Sequence, residues 1–215
     1  MDEKYTSLSA LVPTVSRETF NDLQLFEQLV IKWQAHINLI SPTTIDSLWQ
    51  RHILDSVQPF VIKPQANVWL DIGSGGGFPG IVTAILLKHR TGTLVTLVES
   101  NNKKAAFLRL VIAELQLPAR VYAQRIENFR EKLPPPEIIT ARAFAALTDI
   151  FRMTTYWFTE KTVALLQKGR DYEQEVQEAY ANWNFNLVKH HSMIEVNSVI
   201  LEIKQLHRIK KGEPR

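Results

Sequence analysis

The sequence predicts an α/β protein: a seven-stranded, mostly parallel sheet with an N-terminal helical extension. Three observations carry that prediction. Val68 to Gly80 reads as a strand, a glycine turn and a helix start. Short strand-favouring runs then alternate with helix-periodic segments, the pattern of repeated β-α units. Two long strand-like stretches, Phe185 to Met193 and Val196 to Ile203, follow with a short turn between them and read as an antiparallel hairpin at the sheet's end.

Taken in order, residues 1 to 14 are mixed in character and end at Pro13, which predicts a loosely held arm or a short helix. From Ser16, a residue suited to an N-cap, Phe20, Leu23, Phe26, Leu29, Val30 and Trp33 recur at helical spacing and form one apolar face. His36 to Pro42 interrupts the pattern. A second helix carrying Ile45, Leu48, Trp49, Ile53 and Val57 inward is expected to close at Pro59 and Pro64. Its polar members are Arg51, His52, Asp55 and Ser56. The four-residue spacing of Arg51 and Asp55 favours a surface ion pair; the alternative is that Arg51 and His52 face a ligand cleft. The helical extension is expected to occupy residues 1–64 and the sheet domain residues 65–215.

Five of the chain's eight glycines fall within the eight positions from Gly73 to Gly80. Glycine accepts positive φ and lets the backbone approach a ligand that a Cβ would push away, and the free N–H groups of the next helix point into the same space. Two ligand classes use such a turn. Asp71 to Gly77 fits D-x-G-x-G-x-G, in which an acid at the strand end faces an ammonium group; that suits S-adenosylmethionine and makes Asp71, Gly73, Gly75 and Gly77 candidate contacts. Gly75 to Gly80 also fits the G-x-G-x-x-G of dinucleotide sites, but Asp71 would repel a pyrophosphate and Pro79 lacks one of the amides it needs. A turn shaped only for close strand and helix packing is the plainest alternative.

Thr93 to Val98 reads as the second strand and ends at Glu99, 19 residues beyond Gly80. A carboxylate there can accept from two ribose hydroxyls of an adenosine, or simply cap the helix that starts near Asn101. Asn102 to Gln116 is a helix and Ala119 to Ala123 a third strand, after which Ile126 and Glu127 are placed to offer backbone groups to a base edge. Leu133 to Pro136 is a stiff connector into a fourth strand, Glu137 to Ala141. An adenine N6-methyltransferase would carry its proline loop after this strand, so that chemistry is disfavoured. Arg142 stands at the strand's end, where it can hold a cofactor carboxylate, a substrate phosphate or an internal carboxylate. Lys161 to Gln167 is a fifth strand, Lys168-Gly169-Arg170 a basic turn, and Asp171 to Trp183 a helix. Arg208, Lys210, Lys211 and Arg215 in the tail suit a phosphate backbone or a solvated end.

Composition excludes several classes. At 215 residues the chain can bury roughly 70% of its unfolded surface. No apolar run reaches the ~18 residues of a membrane span, and Met1-Asp2-Glu3-Lys4 lacks a signal peptide's apolar stretch, so a cytoplasmic protein with no membrane partner is expected. There are no cysteines, which removes disulfides, thiolate metal sites and thiolate nucleophiles. Methylation of pyrimidine carbon 5, which leans on a thiolate, is thereby disfavoured against attack by a nitrogen or oxygen lone pair. The six histidines show no metal-ligand spacing, and no metal is expected. A net charge of +3 and a pI near 9.1 permit a nucleic-acid partner without requiring one.

These motifs together resemble the ribosomal RNA small subunit methyltransferase G family, also called glucose-inhibited division protein B, from about Trp33 to Ile203. The resemblance is carried by Asn38-Leu39-Ile40-Ser41, Arg51-His52-Ile53-Leu54-Asp55-Ser56, Asp71 through Gly80, Lys104-Ala105-Ala106-Phe107-Leu108 and Ala141-Arg142-Ala143-Phe144. It implies a Rossmann-like class I methyltransferase fold and S-adenosylmethionine-dependent methylation of N7 of a guanine in small-subunit (16S) ribosomal RNA near the decoding centre. The partner would be that RNA or the assembled 30S particle, met by a monomer. Carried over by position, Gly73, Phe78, Ile126, Glu127 and Arg142 would touch the cofactor. Glu99 stands where members often have aspartate. No catalytic base is implied, only positioning residues, Arg142 among them. Arg51, His52, Lys168 and Arg170 are candidate contacts to RNA phosphates. A nicotinamide-dependent oxidoreductase using the same turn, and a non-catalytic RNA-binding protein, are the alternatives.

Overall fold

The computed structural model describes residues 2–129, 133 and 135–210. Seven strands form one sheet in the order β3-β2-β1-β4-β5-β7-β6. They are β1 (Val68–Ile72), β2 (Leu94–Val98), β3 (Ala119–Tyr122), β4 (Ile138–Arg142), β5 (Val163–Lys168), β6 (Trp183–His191) and β7 (Val199–Arg208). β1 to β5 pair in parallel, whereas β7 runs antiparallel between β5 and β6. The expected seven-stranded sheet and terminal hairpin are both present. A dinucleotide-binding sheet has the order 3-2-1-4-5-6, so the inserted β7 separates this fold from the oxidoreductase alternative.

The central strands are buried on both faces, which is why they read as nearly unbroken apolar runs. Alternate residues serve opposite layers: Trp69, Val95, Ile138 and Leu165 join one cluster, and Leu70, Val98, Ile139 and Leu166 the other. The first layer holds α1 (Glu3–Leu11), α2 (Arg17–Gln34), α3 (Asp55–Ile62), α4 (Gly80–Leu86) and α5 (Asn102–Leu115); the second holds α6 (Leu147–Thr154) and α7 (Tyr172–Tyr180). Leu8, Phe26 and Ile53 from the N-terminal helices are fully buried in the same cluster as Ile81 and Leu108. No helix among the described residues is long and apolar enough to cross a membrane.

Of the two forms expected for the N-terminal arm, the short helix is the one present, anchored by Leu8 and by the Asp2 side chain, which accepts from the Lys4 amide. Several other elements differ from expectation. The second helix does not close at Pro59. A π-helical turn, Trp49–Leu54, leads into α3, and Pro59 lies inside it. Proline cannot donate to the carbonyl four residues back, and that carbonyl, of Asp55, instead accepts from the side-chain amides of Gln58 (3.3 Å) and Gln167 (3.1 Å). Helix α6 had no counterpart in the sequence reading. Trp183 opens β6 instead of closing α7, and β7 continues to Arg208. Of the basic tail, Lys211 to Arg215 lie outside the described residues.

Candidate active site

Strand order reverses between β1 and β4, and a cleft of ≈ 680 Å³ opens there at the carboxyl ends of the parallel strands, where open α/β sheets bind ligands. Its floor is the glycine turn: Gly73, Ser74, Gly75, Gly76 and Phe78 line it. Gly73 (φ +64°), Gly75 (φ +53°) and Gly77 (φ +99°) all take left-handed conformations that explain the choice of glycine. Their surroundings divide their roles. A Cβ on Gly75 would meet nothing closer than 3.8 Å, so its backbone is open to a ligand; one on Gly77 would lie 2.7 Å from the Ile81 side chain, so that glycine serves packing and does not line the cleft. A Cβ on Gly73 would overlap the Phe144 ring.

Glu99 is buried beside this floor. Its Oε2 accepts from the Gly75 amide at 2.8 Å and its Oε1 from the Asn101 amide at 2.7 Å, while Asn101 caps α5. Glu99 braces the helix start, as one of its two readings expected, and as a cleft-lining carboxylate it keeps lone pairs beyond those two bonds. Ile126 and Glu127, in a 3-10 turn after β3, line the same cleft, as do Lys104, Gln124 and Arg125.

Asp71 is placed differently from expectation. It is 1% exposed and is not part of the cleft wall. In register with Thr140 across β4, it accepts the Thr140 hydroxyl at 2.7 Å. Its other oxygen lies under Gly80, where a Cβ would approach to 2.6 Å. Burial raises its carboxyl from 3.8 to about 6, against the lowering pull of the Thr140 and Ser74 hydroxyls and the Gly80 amide. The acid organises the turn and the start of α4 from behind, and does not face a ligand's ammonium group.

The opposite wall is built from side chains far apart in sequence. Arg142, at the end of β4, donates from Nη2 to the Arg51 carbonyl (2.6 Å) and from Nη1 to His52 Nδ1 (3.1 Å), and its Nε lies 3.3 Å from Asp55 Oδ2. Since a guanidinium only donates, His52 Nδ1 must accept, and Nε2–H then donates to Thr44 Oγ1 at 2.8 Å. His52 is therefore neutral. Burial, aided by Arg142 and Arg51, lowers its pKa to about 4. Asp55 also accepts from Gln58 Nε2 and Gln167 Nε2, each at 2.8 Å. Burial pushes the Asp55 carboxyl up more than Arg142 pulls it down, and burial lowers Arg142 from its ordinary value.

These contacts correct two expectations and settle on one of the roles left open for Arg142, which holds an internal carboxylate while also lining the cleft. Arg51 and Asp55 are not partners: Arg51 is exposed and pairs with Glu195 at 2.9 Å. Lys168 is only 9% exposed and its Nζ is bound to the Ala145 carbonyl and to Glu175, both at 2.6 Å, so with His52 it drops out as a phosphate contact. Arg170 is exposed and lines neither this cleft nor the one beside it.

Two parts of the site were not recognised as such from spacing. Asn38 to Pro42, which reads only as a break between helices, forms a wall of the cleft, fixed by Gln34 through the Leu39 and Ile40 amides and the Ile40 carbonyl. Phe144 is 37% exposed at the cleft mouth. It is turned there by Ala143, whose φ of +50° is unusual for a residue with a Cβ.

A family model described as rRNA small subunit methyltransferase G matches residues 19–204. The chain belongs to that family. A ribosomal RNA small subunit methyltransferase G from Bartonella bacilliformis is 55% identical over 206 residues, covering 96% of each chain, and one from Brucella anthropi is 53% identical over 207 residues, covering 96% of this chain and 97% of the other. Among solved structures, the fold is similar to an O-methyltransferase from Bacillus cereus in complex with SAH (TM-score 0.58, 17% identity, 92% of this chain and 95% of that chain). It is also similar to a ribosomal protein L11 methylase from Lactobacillus delbrueckii subsp. bulgaricus (TM-score 0.55, 14% identity, 73% and 79%). The chain is thus a methyltransferase of ribosomal RNA with a class I methyltransferase fold, and its cofactor is S-adenosylmethionine.

The residues present fit that cofactor. Glu99 would offer an acceptor to ribose hydroxyls, the open Gly75 backbone leaves room for close approach, and Ile126 and Glu127 line the same cleft, where they would meet the adenine. A cleft of this volume suits a small-molecule ligand.

Proposed function

We propose that the chain methylates N7 of one guanine in small-subunit ribosomal RNA near the decoding centre, presented as RNA or within the 30S particle, in the cytoplasm where that RNA is found. Bound in the cleft, S-adenosylmethionine supplies a methyl group on a sulfonium that is already a good leaving group. Guanine N7 already has a free lone pair, so the protein has no proton to remove.

The observation that supports this reading is the condition of His52 and Glu99 along the cleft. His52 is neutral with both ring nitrogens engaged, and Glu99 is fixed by two backbone amides with its remaining lone pairs given to the donor. Neither stands ready as a general base. What the chain supplies is orientation and dryness: Glu99 and the Gly75 backbone hold the donor, and the Arg142 network fixes the facing wall. Positioning of this kind accounts for ~7–11 kcal/mol of barrier in favourable cases. Because N7 faces the deep, narrow groove of A-form RNA, the target base is unpaired or splayed out.

The test is to incubate purified protein with methyl-labelled donor and small subunits from cells that lack the modification, then digest the RNA. Label in 7-methylguanosine is expected. Label in any other nucleoside, or in ribosomal protein, would contradict the proposal.

A further inference from the structure

A second cleft, of ≈ 570 Å³, adjoins the first and shares Arg142, Ala143 and Phe144 with it. Its charged lining residues are Arg51, Asp55, Arg142, Lys168, Glu175 and Glu195, three cations and three carboxylates. Every cation there is paired with a carboxylate of the same cleft: Arg51 with Glu195 (2.9 Å), Arg142 with Asp55 (3.3 Å) and Lys168 with Glu175 (2.6 Å). Such a lining gives a phosphate no net attraction, but it offers donors and acceptors side by side to a neutral polar ring. Gln167 Oε1, buried on the same lining, has no hydrogen-bond partner among the described residues.

We infer that this second cleft takes the guanine base itself, with the Lys168–Glu175 pair reading its O6 and N1–H edge. The inference rests on the guanine-N7 reading and adds the residues that choose the base. Two of the three Lys168 ammonium hydrogens go to Ala145 O and Glu175 Oε2, which leaves one for O6. Glu175 Oε2 also accepts the Leu147 amide at 2.6 Å, which leaves Oε1 to accept from N1–H or the 2-amino group. Adenine presents an amino group where the lysine donates and a lone pair where the carboxylate accepts, so both contacts are mismatched. The pair is held by its bonds to residues 145 and 147, so the reading groups are fixed before the base arrives. In guanine N7 lies beside O6 on the side away from N1, so a base read by Lys168 and Glu175 at O6 and N1–H leaves N7 unobstructed by that pair. Phe144, exposed on the wall the clefts share, offers a ring face to the splayed base.

Glu175→Gln tests this directly. The position of Oε2 accepts from both Lys168 and Leu147, so the amide oxygen is held there and the amide N–H₂ is left facing N1–H. Efficiency, kcat/KM for small subunits, is expected to fall roughly 10- to 100-fold. Affinity for S-adenosylhomocysteine, read by calorimetry, should stay within about twofold. In parallel, wild-type crystals are soaked with guanosine monophosphate and S-adenosylhomocysteine, which decides the matter even if the variant fails to fold. The base is expected against Lys168 and Glu175; base density elsewhere, or none, overturns the assignment. If wild-type label lies outside 7-methylguanosine, the underlying reading fails first. If it lies there and Glu175→Gln works at wild-type efficiency, only the pocket assignment fails.

Discussion

The two walls of the cofactor cleft are made by opposite means. The glycine turn is a wall of main chain: its shape comes from positive φ at Gly73, Gly75 and Gly77 and from amides that meet Glu99. The facing wall is made of side chains, with Arg142, His52 and Asp55 tied to Gln58, Gln167 and Ser192 across as many as 137 residues of sequence. One wall fails when atoms are added and the other when atoms are taken away.

The largest expected effect is on the side-chain wall. Asp55→Ala takes the carboxylate away from two glutamine amides and leaves the buried Arg142 guanidinium without its contacting counter-charge, and should cost about 3–5 kcal/mol of stability in chemical denaturation. A loss under about 1 kcal/mol would mean that solvent replaces the carboxylate and that the wall is looser than described. On the main-chain wall the reverse change is damaging. Gly77→Ala, at φ +99° and with Ile81 at 2.7 Å from the new Cβ, should cost about 2–3 kcal/mol. By contrast Gly75→Ala, with open space around it, should cost mainly the backbone strain of roughly 1 kcal/mol while weakening the donor's binding.

Glu99→Ala removes an acceptor from the donor without emptying a core position, and about 1.5–3 kcal/mol of affinity for S-adenosylhomocysteine should be lost in calorimetry. An unchanged dissociation constant would leave Glu99 as a helix brace only. A pH-dependent effect of comparable size to that of Gly75→Ala concerns Asp71. Its folded-state pKa, about 6, lies above the 3.8 of the unfolded chain, so the native state binds the proton more tightly and ionisation weighs against the fold. The penalty is fully present above pH 6 and fades as pH falls toward 4. Wild type should therefore gain roughly 1–2 kcal/mol on Asp71→Asn between pH 7 and pH 4, measured as the difference of two denaturation series. A gain in the opposite direction would place a cation beside Asp71.

The contrast between the walls also explains what was legible in the sequence. The turn was readable because its signal is local: a glycine's need for positive φ, a strand before it and a helix after it fall within thirteen residues, Val68 to Gly80. Glu99 could be placed at its edge by counting from Gly80. The side-chain wall has no such local signal. Nothing in the spacing of Arg51 and Asp55 reveals that Asp55 turns inward to a strand end some ninety positions away, or that Gln167 takes up the carbonyl that Pro59 cannot bond. Lys168 looked like an exposed basic residue because its burial depends on Glu175 and on the path of residues 145–147. Asp71 was recognised as important, but its direction was set by Thr140 on a neighbouring strand.

The central claim is that the turn holds the donor while the Arg142 network sets where the acceptor meets it. Arg142→Lys tests it most directly, since a lysine keeps the charge but loses the planar fork that joins Asp55, His52 and the Arg51 carbonyl. Single-turnover methyl transfer and S-adenosylhomocysteine affinity are to be measured on the same preparation. The account predicts transfer slowed by at least about tenfold with affinity within about threefold of wild type. A loss of affinity as large as the loss of rate would contradict it, because Arg142 would then be holding the donor itself.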